Sequence, residues 1–121
     1  MKRGQVKVSV SDSTRTILDM LNDPGLGGGI RSTADMFKNY LKSENKNMDM
    51  LIDYSMRFRN GAVFKRLGFL LERFSPDEKD IIEKCKSQLT KGNIKLDPKL
   101  GADKLVTRWK LWIPKNWVKE Q

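Results

Sequence analysis

Residues 60–74, NGAVFKRLGFLLERF, constrain the fold most strongly, because their apolar residues follow the helical repeat on two adjoining stripes. One stripe holds Val63, Leu67, Leu70 and Phe74, and the other holds Phe64 and Leu71. This spacing predicts a helix that buries one side in a core. Gly68 in its interior costs about 1 kcal/mol relative to alanine. We therefore expect Gly68 to let a neighbouring element approach closely.

Three basic residues interrupt this apolar helix, namely Lys65, Arg66 and Arg73. A helix buried on all sides does not favour such charges, and a helix dedicated to nucleic acid does not favour so many leucines and phenylalanines. The pattern therefore indicates a two-faced helix, with an apolar side in the core and a charged flank.

The rest of the chain divides into four more predicted helices and three short strands, separated by turn-forming residues. We predict helices over residues 14–21, 32–42, 48–58 and from Ser75 to Gly92, with N-caps at Ser11–Ser13, Ser32 and Ser75. Alternating apolar residues predict strands over 6–11, 93–98 and 105–113, and residues 114–121 are expected to fray. The prediction is a mainly helical α+β fold with about five helices. Its small sheet combines the N- and C-terminal strands in one domain, 1–121.

The composition argues against catalysis. The chain has no histidine, which removes the commonest general base and metal ligand. Asp49 and Asp53 stand one helical turn apart and could hold a metal, but solvated helix charges followed by Arg57 explain them better. The glycine-rich stretch 25–33 does not have the spacing of a phosphate loop, and we interpret it as a tight interhelical turn. We expect no enzymatic activity, no cofactor and no metal site.

Charge and cysteine content indicate the environment and the partners. The net charge is +9, from 24 Lys and Arg against 15 Asp and Glu, which favours acidic partners such as nucleic acid. A solvated basic surface without a specific partner is the alternative. The single cysteine, Cys85, lies at an apolar position of a predicted helix and is expected to be a small residue of the protein core. With one cysteine, the chain suits a reducing cytoplasm. No membrane association is expected, because no run of 18 apolar residues occurs.

Basic residues form two candidate binding clusters. One surrounds the third and fourth predicted helices, and the other lies on the last predicted strand, where basic and aromatic residues could contact phosphates and stack a base. Packing of the strand's tryptophan under a helix is the competing interpretation. The candidate residues for partner or nucleic-acid binding are Arg57, Arg59, Lys65, Arg66, Arg73, Arg108, Lys110 and Trp112.

Three stretches together resemble a known family. They are VSVSDSTRTILDMLNDPGLGGGI (8–30), NGAVFKRLGFLLE (60–72) and LDP…TRWKLWIP (96–114). Their order and spacing resemble the C-terminal domain of AbiEi-like proteins, the antitoxin and transcriptional-regulator components of type IV toxin–antitoxin systems in abortive phage infection. The resemblance covers nearly the whole chain. The family's N-terminal winged helix-turn-helix has no counterpart in these residues.

The resemblance implies a function. In this family, the C-terminal part is needed to neutralise a cognate nucleotidyltransferase toxin, either by contact or by acting on the same RNA or nucleotide target. We therefore expect an antitoxin-type regulatory domain in antiviral defence, with Lys65, Arg66 and Arg73 directed from an exposed flank towards an acidic partner or nucleic acid. The alternative is a basic module of a transcriptional regulator that binds DNA or RNA directly.

Overall fold

A computed structural model describes residues 10–44, 46–58 and 61–118. The α-helices in these ranges are α1 (Val10–Asn22), α2 (Ile30–Lys42), α3 (Met48–Ser55), α4 (Ala62–Phe74), α5 (Lys79–Ser87) and α6 (Lys115–Val118), and Pro24–Gly27 form a 3-10 helix. The strands are β1 (Ile94–Lys95), β2 (Lys104–Val106) and β3 (Leu111–Ile113). The predicted fold class, α+β and mainly helical with a small sheet, is confirmed.

Helix α4 lies at the centre of the core and packs against α1 and α5. Every residue from 63 to 71 is buried, so the helix is surrounded along most of its length. The two predicted apolar stripes are confirmed, because Val63, Leu67, Leu70 and Leu71 have no exposed surface. Because α4 is surrounded in this way, Lys65 and Arg66 also lie in the interior.

The sheet has the order β1-β3-β2, with β3 parallel to β1 and antiparallel to β2. The prediction of one continuous strand over 105–113 is therefore wrong. Residues 107–110 form a turn in which Lys110 adopts a φ of 57°, and the chain reverses between β2 and β3. The alternating pattern does hold within β3, where Leu111 and Ile113 are buried and Trp112 is half-buried on the opposite face.

The helix starts differ from the predicted caps. Residues 6–9 of the predicted first strand lie outside the described residues, and Val10 and Ser11 belong to α1. Helix α2 begins at Ile30, two residues before the expected cap at Ser32. Ser75 closes α4 by donating its backbone N–H to Leu71, and α5 begins only at Lys79. In the C-terminal segment, residues 115–118 form α6 rather than a frayed end.

Cys85 lies in the core as predicted, with no exposed surface. Burial disfavours the thiolate and raises the pKa of Cys85 from 9.0 to about 12. Because this pKa is higher in the folded chain than in the unfolded chain, the burial stabilises the fold fully below about pH 9. That stabilisation is lost as the pH rises towards 12.

We expect Cys85 to resist a thiol reagent in the folded chain at about pH 8, because the thiol is buried and its pKa is raised. Reaction with Ellman's reagent, with and without denaturing urea, measures this. Urea should release one rapidly reacting thiol per chain, since the sequence contains a single cysteine. Equally fast labelling without urea would contradict the observed burial.

Candidate functional site

Arg66 binds the ends of two other segments. Its Nε and both terminal nitrogens donate to four backbone carbonyls, two on each segment. The acceptors are Leu21 (2.9 Å) and Asn22 (3.0 Å) at the end of α1, and Lys95 (2.9 Å) and Leu96 (2.9 Å) at β1. Carbonyls in the last turn of a helix lack intrahelical partners, and positive charge there is favourable. Arg66 therefore joins α1, α4 and β1.

The buried position of Arg66 corrects the prediction of an exposed flank. Only 4% of its surface is accessible, and Lys65 beside it is 2% exposed. Burial lowers the pKa of Arg66, whereas the negative charges of Asp97 and Asp23 raise it. A guanidinium stays protonated in proteins, so a full charge is held inside the fold. The role of this charge in the structure is to satisfy backbone carbonyls.

Asp97, in the LDP stretch, is a buried acid that accepts hydrogen bonds from backbone N–H groups, whereas Arg66 donates to backbone carbonyls. Its carboxylate is 3% exposed and accepts hydrogen bonds from the backbone N–H groups of Ile30 (2.9 Å) and Lys99 (2.9 Å). Ile30 is the first residue of α2, whose N-terminus attracts negative charge. The cap of α2 is therefore supplied by a residue 67 positions away along the chain. No local pattern could have predicted it.

Gly68 accommodates the indole of Trp109, which is fully buried. A Cβ atom at Gly68 would overlap the six-membered ring of Trp109, so this position requires glycine. The indole Nε1 donates to Glu72 at 2.8 Å, and the other carboxylate oxygen of Glu72 forms an ion pair with Arg108 at 2.6 Å. The predicted close approach at Gly68 is confirmed, and a side chain from the 107–110 turn makes it.

Two lysines of the predicted set hold the loop that leads into β1. Lys65 donates its Nζ to the carbonyl of Gly92 at 2.7 Å, and Lys110 donates to the carbonyl of Thr90 at 3.2 Å. Desolvation by burial lowers the pKa of Lys65, and the neighbouring charges of Lys110 and Arg66 lower it further. Both amino groups therefore serve the fold by binding backbone carbonyls.

Arg73 holds helix α6 in a comparable way. Its guanidinium lies over the rings of Phe69 (4.9 Å) and Trp117 (5.2 Å) and donates to the carbonyl of Trp117 at 2.9 Å. Trp117 is 8% exposed. A cation that contacts two aromatic rings contributes to packing as well as to charge.

The eight predicted binding residues therefore do not form one surface. Arg57 and Arg108 are exposed, Arg73, Lys110 and Trp112 are half-buried, and Lys65 and Arg66 are buried. Arg59 lies outside the described residues. Arg108 and Lys110 belong to the turn and Trp112 to β3, so the predicted basic-aromatic face of a single strand does not exist.

A basic groove between α1 and α3 was not predicted as a site. Two arginines and two aromatic rings contribute to it, and its volume is about 270 Å³. The residues that line this α1–α3 groove are Arg15, Leu18, Asp19, Tyr54, Arg57 and Phe58. Only Arg57 belongs to the predicted set. The signal that could have revealed the groove was the aromatic–basic sequence YSMRF at 54–58, together with Arg15 in the first helix.

The described residues contain no group of three or more Cys, Asp or Glu side chains that could hold a metal ion. No helix among them has the length and apolar character needed to cross a membrane. Comparison of the chain with protein-family models, curated proteins and solved structures gave no match.

Proposed function

We propose that this chain is an antitoxin-type regulatory domain that neutralises a nucleotidyltransferase toxin in phage defence. The proposal rests on the resemblance to the C-terminal domain of AbiEi-like proteins. The observation that supports it is the way in which the fold joins the three resembling stretches.

Each of the three stretches contributes to one network of contacts around α4. Arg66, from the second stretch, binds the end of α1 in the first stretch and Leu96 in the third. Asp97 of the third stretch caps α2 at Ile30, where the first stretch ends. Gly68 of the second stretch receives Trp109 of the third. The three stretches that carry the resemblance therefore belong to one folded unit, as the proposal requires.

The network also separates structural residues from candidate contact residues. Arg66, Gly68, Asp97 and Trp109, which form this network, are buried, so they maintain the fold and leave recognition of the toxin to exposed positions. Charge reversal at Lys65 or Arg66 would therefore test folding rather than recognition. A functional test has to use the intact chain.

A growth-rescue assay tests the proposal. A candidate nucleotidyltransferase toxin is induced in a bacterial host, with and without co-expression of the chain. We expect induction alone to arrest growth and co-expression to relieve the arrest. The physical reason is that a neutralising domain lowers the fraction of active toxin or protects its target.

Two controls make the rescue specific. Gly68→Val, which places a branched side chain against Trp109, should abolish rescue by disrupting the fold. A toxin that acts as a ribonuclease should remain lethal in the presence of the chain. Persistent arrest with a chain that is expressed and folded would refute the antitoxin proposal.

A further inference from the structure

We propose that the α1–α3 groove binds a single-stranded segment of nucleic acid, with Arg15 and Arg57 on its phosphates and an unpaired base against its aromatic wall. This proposal goes beyond the antitoxin function and does not depend on it. The charge, the lining and the size of the groove support it.

The charge of the groove suits an anionic ligand. Arg15 on α1 and Arg57 in the turn that follows α3 approach it from distant parts of the sequence and are both exposed, the side chain of Arg57 to 71%. Arg57 meets Asp53 at 3.5 Å, but such an exposed pair holds a guanidinium only weakly. Asp19 is the single carboxylate among the six lining residues. The guanidinium fork matches the geometry of a phosphate, and the net charge of +9 favours its approach.

The lining of the groove suits a planar base. Tyr54 and Phe58 are half-buried, so their rings are held in place by the fold while part of their surface remains accessible. The guanidinium of Arg57 lies 4.8 Å from the centre of the Tyr54 ring. Unpaired bases stack on aromatic rings and on guanidinium planes. Cations and aromatic rings in one groove are typical of sites that follow a single strand.

The groove is small, and only an unstacked base can reach its aromatic rings. Its volume of about 270 Å³ lies just below the range of about 300–1,000 Å³ for small-ligand pockets. The bases of a single strand are accessible to the rings of the groove, whereas the bases of a duplex are stacked inside and cannot reach them. An acidic peptide could pair with the arginines but would provide no planar group for Tyr54 and Phe58. Single-stranded nucleic acid therefore fits the groove best.

Fluorescence anisotropy with the purified full chain tests the proposal. The probes are a labelled oligouridine, an oligothymidine of the same length and a duplex of matched charge. We expect both single strands to bind more tightly than the duplex. Their log K should fall with log salt by about 0.7 for each phosphate contacted. Comparison of the affinities for oligouridine and oligothymidine shows whether the groove prefers RNA or DNA.

Matched variants locate the binding in the groove. The double variant Arg15→Gln, Arg57→Gln should weaken binding at least about tenfold and reduce the salt slope by about 1.4, the value for two phosphates. Lys91→Gln, Lys104→Gln removes the same charge from exposed positions outside the lining and should leave affinity nearly unchanged. Tyr54→Leu, which keeps the charge, should weaken binding about tenfold without changing the slope. Phe58→Leu provides the same test if Tyr54→Leu does not fold.

Four outcomes of these binding measurements would overturn the proposal. They are absence of binding at low salt, equal loss in the two double variants, duplex binding as tight as that of the single strands, and unchanged binding in the folded leucine variants. Competition by polyglutamate as effective as that by unlabelled oligouridine would also overturn it, in favour of an acidic protein ligand. The assay contains no toxin, so its failure would leave the antitoxin proposal intact.

Discussion

Arg66→Met is expected to lower the free energy of unfolding by about 2–6 kcal/mol, because each of two buried acceptors left without a partner costs about 1–3 kcal/mol. The substitution removes four hydrogen bonds at once, and the carbonyls of Leu21 and Leu96 are buried where water cannot replace the donor. A domain of this size has a total stability of about 5–15 kcal/mol. Urea unfolding followed by circular dichroism should therefore show a large shift of the midpoint or no folded baseline.

Arg57→Met is the matched control, since the same chemical change at an exposed side chain should alter stability by no more than about 0.5 kcal/mol. Arg66→Lys should recover little of the lost stability, because a single ammonium group cannot replace a guanidinium that reaches both α1 and β1. If Arg66→Met and Arg57→Met unfold at the same urea concentration, the four hydrogen bonds of Arg66 do not stabilise the domain.

Gly68→Ala is expected to destabilise the chain by about 2 kcal/mol or more, although alanine in a helix interior normally adds about 1 kcal/mol relative to glycine. The new methyl group overlaps the indole of Trp109, which is fully buried and tied to Glu72. Neither ring nor helix can move without disturbing the packed core. The same urea titration measures the effect.

A double-mutant cycle identifies the cause. In a Trp109→Leu background the methyl group meets no indole, so Gly68→Ala should become neutral or stabilising there. The change of sign between the two backgrounds is the expected result. An equal loss in both backgrounds would mean that the clash with Trp109 is not the reason for glycine at this position.

Local patterns were sufficient to predict the helical core but not the sheet. The prediction of a buried helix at α4 was correct, because an apolar repeat of 3.6 residues indicates directly which positions face the core. The strand prediction over 105–113 failed because alternation continues through the four-residue turn between β2 and β3. Lys110 adopts a positive φ at that turn, which is rare for a residue with a Cβ. Glycine or asparagine usually marks such a turn in a sequence, and neither occurs in residues 107–110.

The candidate site was predicted less well, for a different physical reason. Charged residues are usually exposed, so Lys65 and Arg66 were assigned to solvent. Their partners are backbone carbonyls of distant segments, and a carbonyl has no signature in the sequence because every residue carries one. The α1–α3 groove was missed because Arg15 and Tyr54 meet only after two helices have packed together.

The position of Arg66 has a consequence for the order in which the chain folds. Its acceptors lie 29, 30, 44 and 45 residues away, on two segments that approach α4 from opposite directions in sequence. If only one segment were docked, the guanidinium would lose water while half of its donors lacked acceptors, and such an intermediate is costly in a low-dielectric interior. Docking of α1 and docking of β1 therefore favour each other, and we expect these two segments to form and unfold in a single cooperative step.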